Sequence, residues 1–421
     1  MSVVDNCYSI EDLRLAAKKR LPWGFFNFID YGVEDNIAPK NNREAFGRIK
    51  LRHRGLVDID GLDLGTTLFG KRAEMPFAIS PTGAPGLCWY DGELELAKAA
   101  AAVGIPISLA TGSITPLERL IGESGCRLWF QVVVWEDREL TFSQIKRALA
   151  AGADALIVTV DFGISSNRAH NVRSGFGSPF SFNRRNLPDL ACHPRWLFGV
   201  IGRYMLNGGI PRHVNYPPGY QRSIMARMGA TKVLHAMRSH NAIWDDLDRI
   251  RDLWPGPLIV KGLQRPDDAV RSVEKGAQGI VVSNHGGRLM DAAAASLDTL
   301  PEIAAAVKGK ATILLDSGVR RGTDIVKALA LGADAVMAGR PTAFGIAAGG
   351  QAGGEAALKM LKNEYMQTLG FVGCGSAAEV TRDVLGPSPG AAMRWLEHQP
   401  EAPLPASSPE AARAESTLAG R

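Results

Sequence analysis

Eight short apolar runs, each followed by a stretch with helical spacing, constrain the fold of this chain more than any other feature. The runs are Pro76–Ser80, Ile105–Leu109, Leu128–Val133, Ala155–Thr159, Pro257–Lys261, Gly279–Ser283, Thr312–Asp316 and Ala335–Gly339. Helical patterns such as Glu93–Val103 and Phe142–Ala151 lie between them. Strands alternating with helices build a parallel sheet, because each parallel connection must cross over. Eight such units are the number that closes a barrel. An open doubly wound sheet is the competing arrangement, but no Gly-x-Gly-x-x-Gly follows the first run. The expected fold class is α/β: a (β/α)8 TIM barrel with an N-terminal helical segment and an insertion after the fourth strand.

In such a barrel, reactive side chains sit just past the C-terminal ends of the strands. The sixth run ends in Ser283-Asn284-His285-Gly286-Gly287-Arg288. A His there can take a proton near neutral pH. An Arg three residues on can clamp a carboxylate through two hydrogen bonds. The glycines between them let the backbone approach a ligand closely. Alone, this run could equally be a polar cap on a strand. The seventh and eighth runs end in Asp316-Ser317-Gly318-Val319-Arg320 and Gly339-Arg340. That is where barrels often hold phosphate. Lys261 ends the fifth run, and a lysine there is costly to bury without an anionic partner. A structural salt bridge would also satisfy it.

Taken together, these stretches resemble the FMN-dependent 2-hydroxy acid oxidases and dehydrogenases, from about Ile10 to about Val384. Cys192-His193-Pro194-Arg195-Trp196 and Asp252-Leu253-Trp254-Pro255 are most similar to the mandelate and lactate dehydrogenase-like members. The resemblance implies FMN as cofactor, an L-2-hydroxy acid as substrate and a homotetramer. It places Pro81, Thr82, Gly83, Ala110, Gln131, Thr159, Lys261, Ser283, His285, Gly286, Arg288, Asp316, Ser317, Gly318, Val319, Arg320, Gly339 and Arg340 around the flavin. It makes His285 the base and Asp161 its carboxylate partner. Arg168 and Arg288 become the substrate clamp. The glycine at Gly83 is that of members passing electrons to a quinone; an oxygen-using oxidase and a flavin-binding barrel without turnover are the alternatives.

Three positions depart from the family pattern. Phe28 and Val133 stand where tyrosines are usual, which removes two phenols from the substrate pocket. Loss of a hydrogen bond to a charged group is typically worth ~1.5–3 kcal/mol. Tyr31 is the nearby residue that could replace one of them. Arg168 is followed by Ala169-His170-Asn171, where relatives carry acids. A bulkier or aromatic 2-hydroxy acid is therefore expected rather than glycolate.

The first domain is expected to span 1–386. Its insertion runs over 176–240, with Asp189 as its only acid against Arg184, Arg185, Arg195, Arg203, Arg212, Arg222, Arg227, Lys232 and Arg238. Trp196, Leu197, Phe198, Val200, Ile201, Tyr204, Met205 and Leu206 add an apolar face. A basic amphipathic stretch suits an anionic membrane surface; an active-site lid with a subunit contact is the other reading. The barrel strands lie outside it, so loss of 180–215 is expected to spare the flavin site. Residues 387–421 have the composition of a disordered tail. A net charge of +5 is too weak to imply a nucleic-acid partner, and five scattered cysteines show neither metal spacing nor a disulfide framework. No run approaches ~20 apolar residues, and the N-terminus lacks a signal-like pattern. The expected location is cytoplasmic, peripheral on the inner face of the membrane, with no metal.

Overall fold

Eight parallel strands close into a barrel: β1 (Phe77–Thr82), β2 (Ile107–Ala110), β3 (Leu128–Val133), β4 (Ala155–Thr159), β5 (Leu258–Leu263), β6 (Gly279–Val282), β7 (Thr312–Asp316) and β8 (Ala335–Ala338). Each pairs with its sequence neighbours, and β8 closes on β1 through Val336↔Phe77. The computed structural model describes residues 3–83, 85–164, 166–177, 180, 183–224 and 242–387. One unit ends at Leu385 and a second begins at Gly386. The expected tail lies outside the described residues except for Pro387, as does the last part of the insertion.

Side chains alternate along a strand, so each strand serves two cores. Outward residues such as Phe130, Val132, Leu156 and Val158 pack under the helices. Inward residues Ala78, Trp129, Ile157, Ile259, Val281 and Leu314 fill the barrel. A hairpin, Thr66–Leu68 with Lys71–Ala73, sends Leu68 and Ala73 into this inner cluster. Two positions further along the same strands, the inward residues turn polar: Ser80, Gln131, Thr159, Lys261, Ser283 and Asp316. The barrel is thus apolar in its middle and polar at the C-terminal mouth.

Three helices precede the barrel: α1 (Ile10–Arg20), α2 (Trp23–Asp30) and α3 (Ile37–Arg48). Helix α1 is capped by Ser9, whose hydroxyl accepts from Asp12 N at 3.1 Å. Arg14 grips Asp30 at 2.7 and 2.6 Å, which ties α1 to the end of α2. The start of α3 is held by Asp291, which accepts from Asp35 N and Ala38 N at 3.0 and 2.9 Å. Asn42 on α3 and Asn284 exchange side-chain hydrogen bonds at 2.8 and 2.9 Å. These contacts bring the N-terminal segment to the loop that carries His285.

The described part of the insertion is packed onto the barrel loops. A helical stretch from Pro194 to Leu206 contains a π-helical turn at Leu197–Gly202. Trp196 is buried and donates Nε1 to Leu87 O at 2.7 Å. The Tyr204 hydroxyl donates to Gly86 O at 3.1 Å and accepts from Asp91 N at 2.9 Å. Buried Asn215 accepts from Leu117 N at 3.1 Å and donates to Ser113 Oγ and Thr115 O. Residues 180–215 thus supply hydrogen-bond partners to Leu87 O, Gly86 O, Asp91 N and Leu117 N on the barrel loops. Phe198, Met205 and Leu206 face outward at 71%, 56% and 86% exposure. No helix among the described residues is long and apolar enough to cross a membrane.

Candidate active site

The polar mouth of the barrel is organised by one hydroxyl. Ser283 Oγ donates to Asp316 Oδ2 at 2.8 Å and accepts from Lys261 Nζ and the His285 N–H, both at 3.0 Å. A serine has one donor and two acceptor sites, so it is fully satisfied. Asp316 also accepts from Ser80 Oγ at 2.6 Å and pairs with Lys261 Nζ at 2.9 Å. Burial alone would raise the Asp316 carboxyl, but the Lys261 charge and the hydrogen bonds of Ser80, Lys261 and Ser283 outweigh it and hold it at about 2. Lys261 thus has the salt bridge foreseen as an alternative, and it also lines the cavity described below.

His285 stands above this network in the left-handed region, with φ +57°. That conformation is uncommon outside glycine and is held here by the Ser283 hydrogen bond. It brings Nδ1 to 3.2 and 3.3 Å from the two oxygens of Asp161. Asp161 follows β4 and fits against Gly262, where a Cβ would come within 2.5 Å of Asp161 Cγ. The strand register shifts at that same point of β5, a bulge that re-aims the chain beside a site. Phe162 stacks on the imidazole at 5.8 Å between centroids.

Three arginines, Arg288, Arg320 and Arg340, line the cavity, and Arg168 stands beside Arg288 outside its wall. Arg288 donates Nη1 to the carbonyls of Phe28 and Tyr31 at 2.6 and 3.1 Å. Its guanidinium lies 4.9 Å from the Phe28 ring, and that of Arg168 lies 6.0 Å from the same ring. Burial, then Arg168 and Arg340, push the Arg288 guanidinium below its ordinary range. Arg340 gives its three nitrogens to the carbonyls of Ile29, Gly286 and Tyr31 at 3.0, 2.8 and 3.1 Å, so it fastens α2 to the His285 loop. Arg320 donates to Val319 O at 2.8 Å and forms no ion pair among the described residues. Burial, with Arg340 and Arg43 close by, lowers it to about 9. The Tyr31 ring packs against His170 at 5.4 Å and is not in the cavity wall.

A cavity open to solvent lies at this mouth of the barrel. Its wall includes Phe28, Pro81, Thr82, Gly83, Lys261, His285, Gly286, Arg288, Asp316, Ser317, Gly318, Val319, Arg320, Gly339 and Arg340. Ser283 lies directly behind it. Ala110, Gln131, Val133, Thr159, Asp161 and Arg168 do not line it. Gln131 and Thr159 instead pair with each other at 3.0 Å beside Lys261, and Val133 is the register partner of Thr159. Cys88, Pro85, Ile29 and Ala343 also line it; their apolar identity carries no signal in sequence. The residues fit FMN on one observation above all. Arg320 lines the cavity beside Arg340 and Arg288 and forms no ion pair among the described residues, and a phosphate dianion is the group that suits such a cluster.

The fold and this mouth define a barrel with a cluster of cations next to a His–Asp pair. Residues 17–387 match the family described as FMN-dependent dehydrogenase. The L-lactate dehydrogenase of Alcaligenes faecalis is 38% identical over 379 residues, which cover 90% of this chain and 98% of the relative. The L-lactate dehydrogenase of Xanthomonas campestris pv. campestris (strain 8004) is 40% identical over 376 residues, 89% of this chain and 95% of the relative. Among solved structures, the monotopic membrane protein (S)-mandelate dehydrogenase superposes with a TM-score of 0.84 at 35% identity, covering 90% of this chain and 99% of that one. Mandelate oxidase gives 0.75 at 31%, covering 90% and 98%. The chain belongs to the FMN-dependent dehydrogenase family. It is an FMN-dependent oxidoreductase of the 2-hydroxy acid dehydrogenase type, on the expected (β/α)8 barrel.

Proposed function

We propose that the protein oxidises an L-2-hydroxy acid, lactate- or mandelate-like, to the 2-oxo acid, with electrons leaving to a quinone-type acceptor at a membrane surface. The single observation that carries the chemistry is the His285 Nδ1–Asp161 contact at 3.2 Å on the cavity wall. It leaves Nε2 to accept the substrate hydroxyl proton, while Asp161 stabilises the imidazolium that forms. Arg288, joined by Arg168, holds the substrate carboxylate. Bound FMN supplies the two-electron acceptor. Lys261 would present a positive charge to bound FMN, and Asp316 holds the ammonium in place. Arg320 and the Ser317–Gly318 turn receive the phosphate, with Arg340 fixing the turn's neighbours.

The acceptor and the membrane rest on separate support. A Cβ at Gly83 would meet no protein atom within 4 Å, so this position leaves the cavity wall open. The outward Phe198, Met205 and Leu206 sit next to Arg195 and Arg203, the composition of a segment that docks on anionic lipid. The solved relative described as monotopic agrees with that reading. The test is direct. Purified protein should be yellow with FMN, and excess L-lactate or (S)-mandelate should bleach it without oxygen. A flavin that no 2-hydroxy acid bleaches would refute the substrate class. Oxygen uptake as fast as quinone reduction would refute the acceptor.

A further inference from the structure

The turn after β7 begins on a backbone outlier. Ser317 has φ +92°, the largest positive value outside glycine among the described residues. A side chain is unfavourable there, whereas glycine adopts such a φ freely. Strain of this kind persists only where the surroundings over-determine it, and it points to function. Ser317 is buried and lines the cavity. Its Oγ accepts from the Gly286 N–H at 2.9 Å. The residue before it, Asp316, accepts from Ser283 Oγ at 2.8 Å, and Ser283 Oγ accepts from the His285 N–H at 3.0 Å. Two consecutive residues at the end of β7 thus anchor two consecutive amides, those of His285 and Gly286. Both of these residues are left-handed, at φ +57° and +68°. From the other side, Gly286 O accepts from Arg340 Nη1 at 2.8 Å.

A serine hydroxyl has one proton to donate and two acceptor sites. Ser317 fills one acceptor site with Gly286, and it donates to no group among the described residues. On the cavity wall that proton can go to an acceptor inside the cavity. A hydroxyl that donates to an anion becomes a better acceptor, because successive hydrogen bonds polarise one another. Resting on the base role proposed for His285, we infer that Ser317 is a positioning residue that links the cofactor to the base. Its hydroxyl donates to the phosphate of bound FMN and thereby tightens its hold on Gly286. That hold fixes the left-handed turn that aims His285. Asp161 orients the imidazole through Nδ1; Ser317 acts on the backbone that carries the ring. Glycine at 317 would relieve the backbone but would bring no hydroxyl.

The experiment compares the parent, Ser317→Gly and Ser317→Ala as full chains, stripped of FMN and fully reloaded. Amide hydrogen exchange is read on the peptide covering 284–288. Loading with FMN should slow its exchange at least about tenfold in the parent and less than about threefold in either variant. In anaerobic stopped flow at saturating substrate, both loaded variants should bleach at least about tenfold more slowly than the parent, as expected of a misaimed base. The dissociation constant of the 2-oxo acid should not change, because Arg288 is untouched. Glycine suits a positive φ better than alanine does, so a folding defect would weigh on Ser317→Ala alone. A rate loss in Ser317→Ala that is absent from Ser317→Gly therefore overturns the inference. So does equal slowing of exchange by FMN in all three proteins. Variants that bind FMN less tightly but bleach within about threefold of the parent once loaded make Ser317 a cofactor contact only, and overturn it too. If no 2-hydroxy acid bleaches the parent, the proposed function falls, and the exchange comparison still decides whether Ser317 links the cofactor to the His285 loop.

Discussion

Replacing Asp161 with Asn separates the orientation of His285 from the stabilisation of its charge. Asn keeps an oxygen that can accept from Nδ1, so the ring stays in place while the negative charge is lost. The carboxylate oxygens lie 3.2 and 3.3 Å from Nδ1. The side chains are 26% and 16% exposed, so the pair is only partly screened. Two unit charges about 4 Å apart interact by roughly 1 kcal/mol in water and roughly 4 kcal/mol at an effective dielectric of about 20. A hydrogen bond to a charged group falls inside that range, at ~1.5–3 kcal/mol. At about 1.4 kcal/mol per tenfold, Asp161→Asn should slow flavin reduction roughly 10- to 150-fold. Anaerobic stopped flow at saturating substrate gives this rate directly. The dissociation constant of the 2-oxo acid product should change little, because Arg288 is untouched. A rate within threefold of the parent would show that Asp161 does not stabilise a protonated His285.

Acid should loosen the mouth of the barrel. Asp316 is depressed from its ordinary 3.8 to about 2 in the folded protein. A depressed carboxylate contributes stability above its unfolded value and loses it as pH falls, here between about 4 and 2, to a total of roughly 2 kcal/mol. Urea melts of the FMN-free chain at stepped pH should show this loss, and Asp316→Asn should lack it. Lys261→Met should destabilise by roughly 3–5 kcal/mol, because a buried carboxylate is left alone, and Lys261→Met with Asp316→Asn should recover most of that. Gly83→Ala should change stability by under about 0.5 kcal/mol, since its Cβ meets no protein atom, yet alter the ratio of oxygen uptake to quinone reduction; an unchanged ratio would remove Gly83 from control of the acceptor. Phe198→Asp with Leu206→Asp should abolish sedimentation with anionic vesicles at low salt while flavin bleaching persists, because both side chains point outward; equal sedimentation would place the contact elsewhere.

The barrel was readable because its strands are short apolar runs with the same period throughout. Four elements escaped for physical reasons. Helix α3 starts at a cap supplied by Asp291, far along the chain, so no local signal marks it. The hairpin over 66–73 is three residues per strand, too short for alternation to register. The helical turn Pro85–Cys88 and the π turn in the insertion carry no distinctive spacing. In the site, His285 and Arg288 announced themselves by residue type and position. The roles of Ser283 and Arg340 did not. Ser283 is an ordinary serine whose three hydrogen bonds appear only when β5, β6 and β7 are adjacent. Arg340 lies beside a phosphate-type turn, but its nitrogens go to carbonyls of α2 and the His285 loop, which sequence proximity cannot show.

The account turns on His285 as the proton acceptor, and one measurement addresses it most directly. His285→Ala should be purified with FMN bound, because His285 contributes one wall of a cavity built mainly from Lys261, Asp316 and the Ser317–Arg320 turn. Mixed anaerobically with a substrate that bleaches the parent, the variant's flavin should bleach at least about 10²-fold more slowly, the usual cost of removing a general base. A flavin-loaded variant that bleaches at nearly the parent rate would contradict the account.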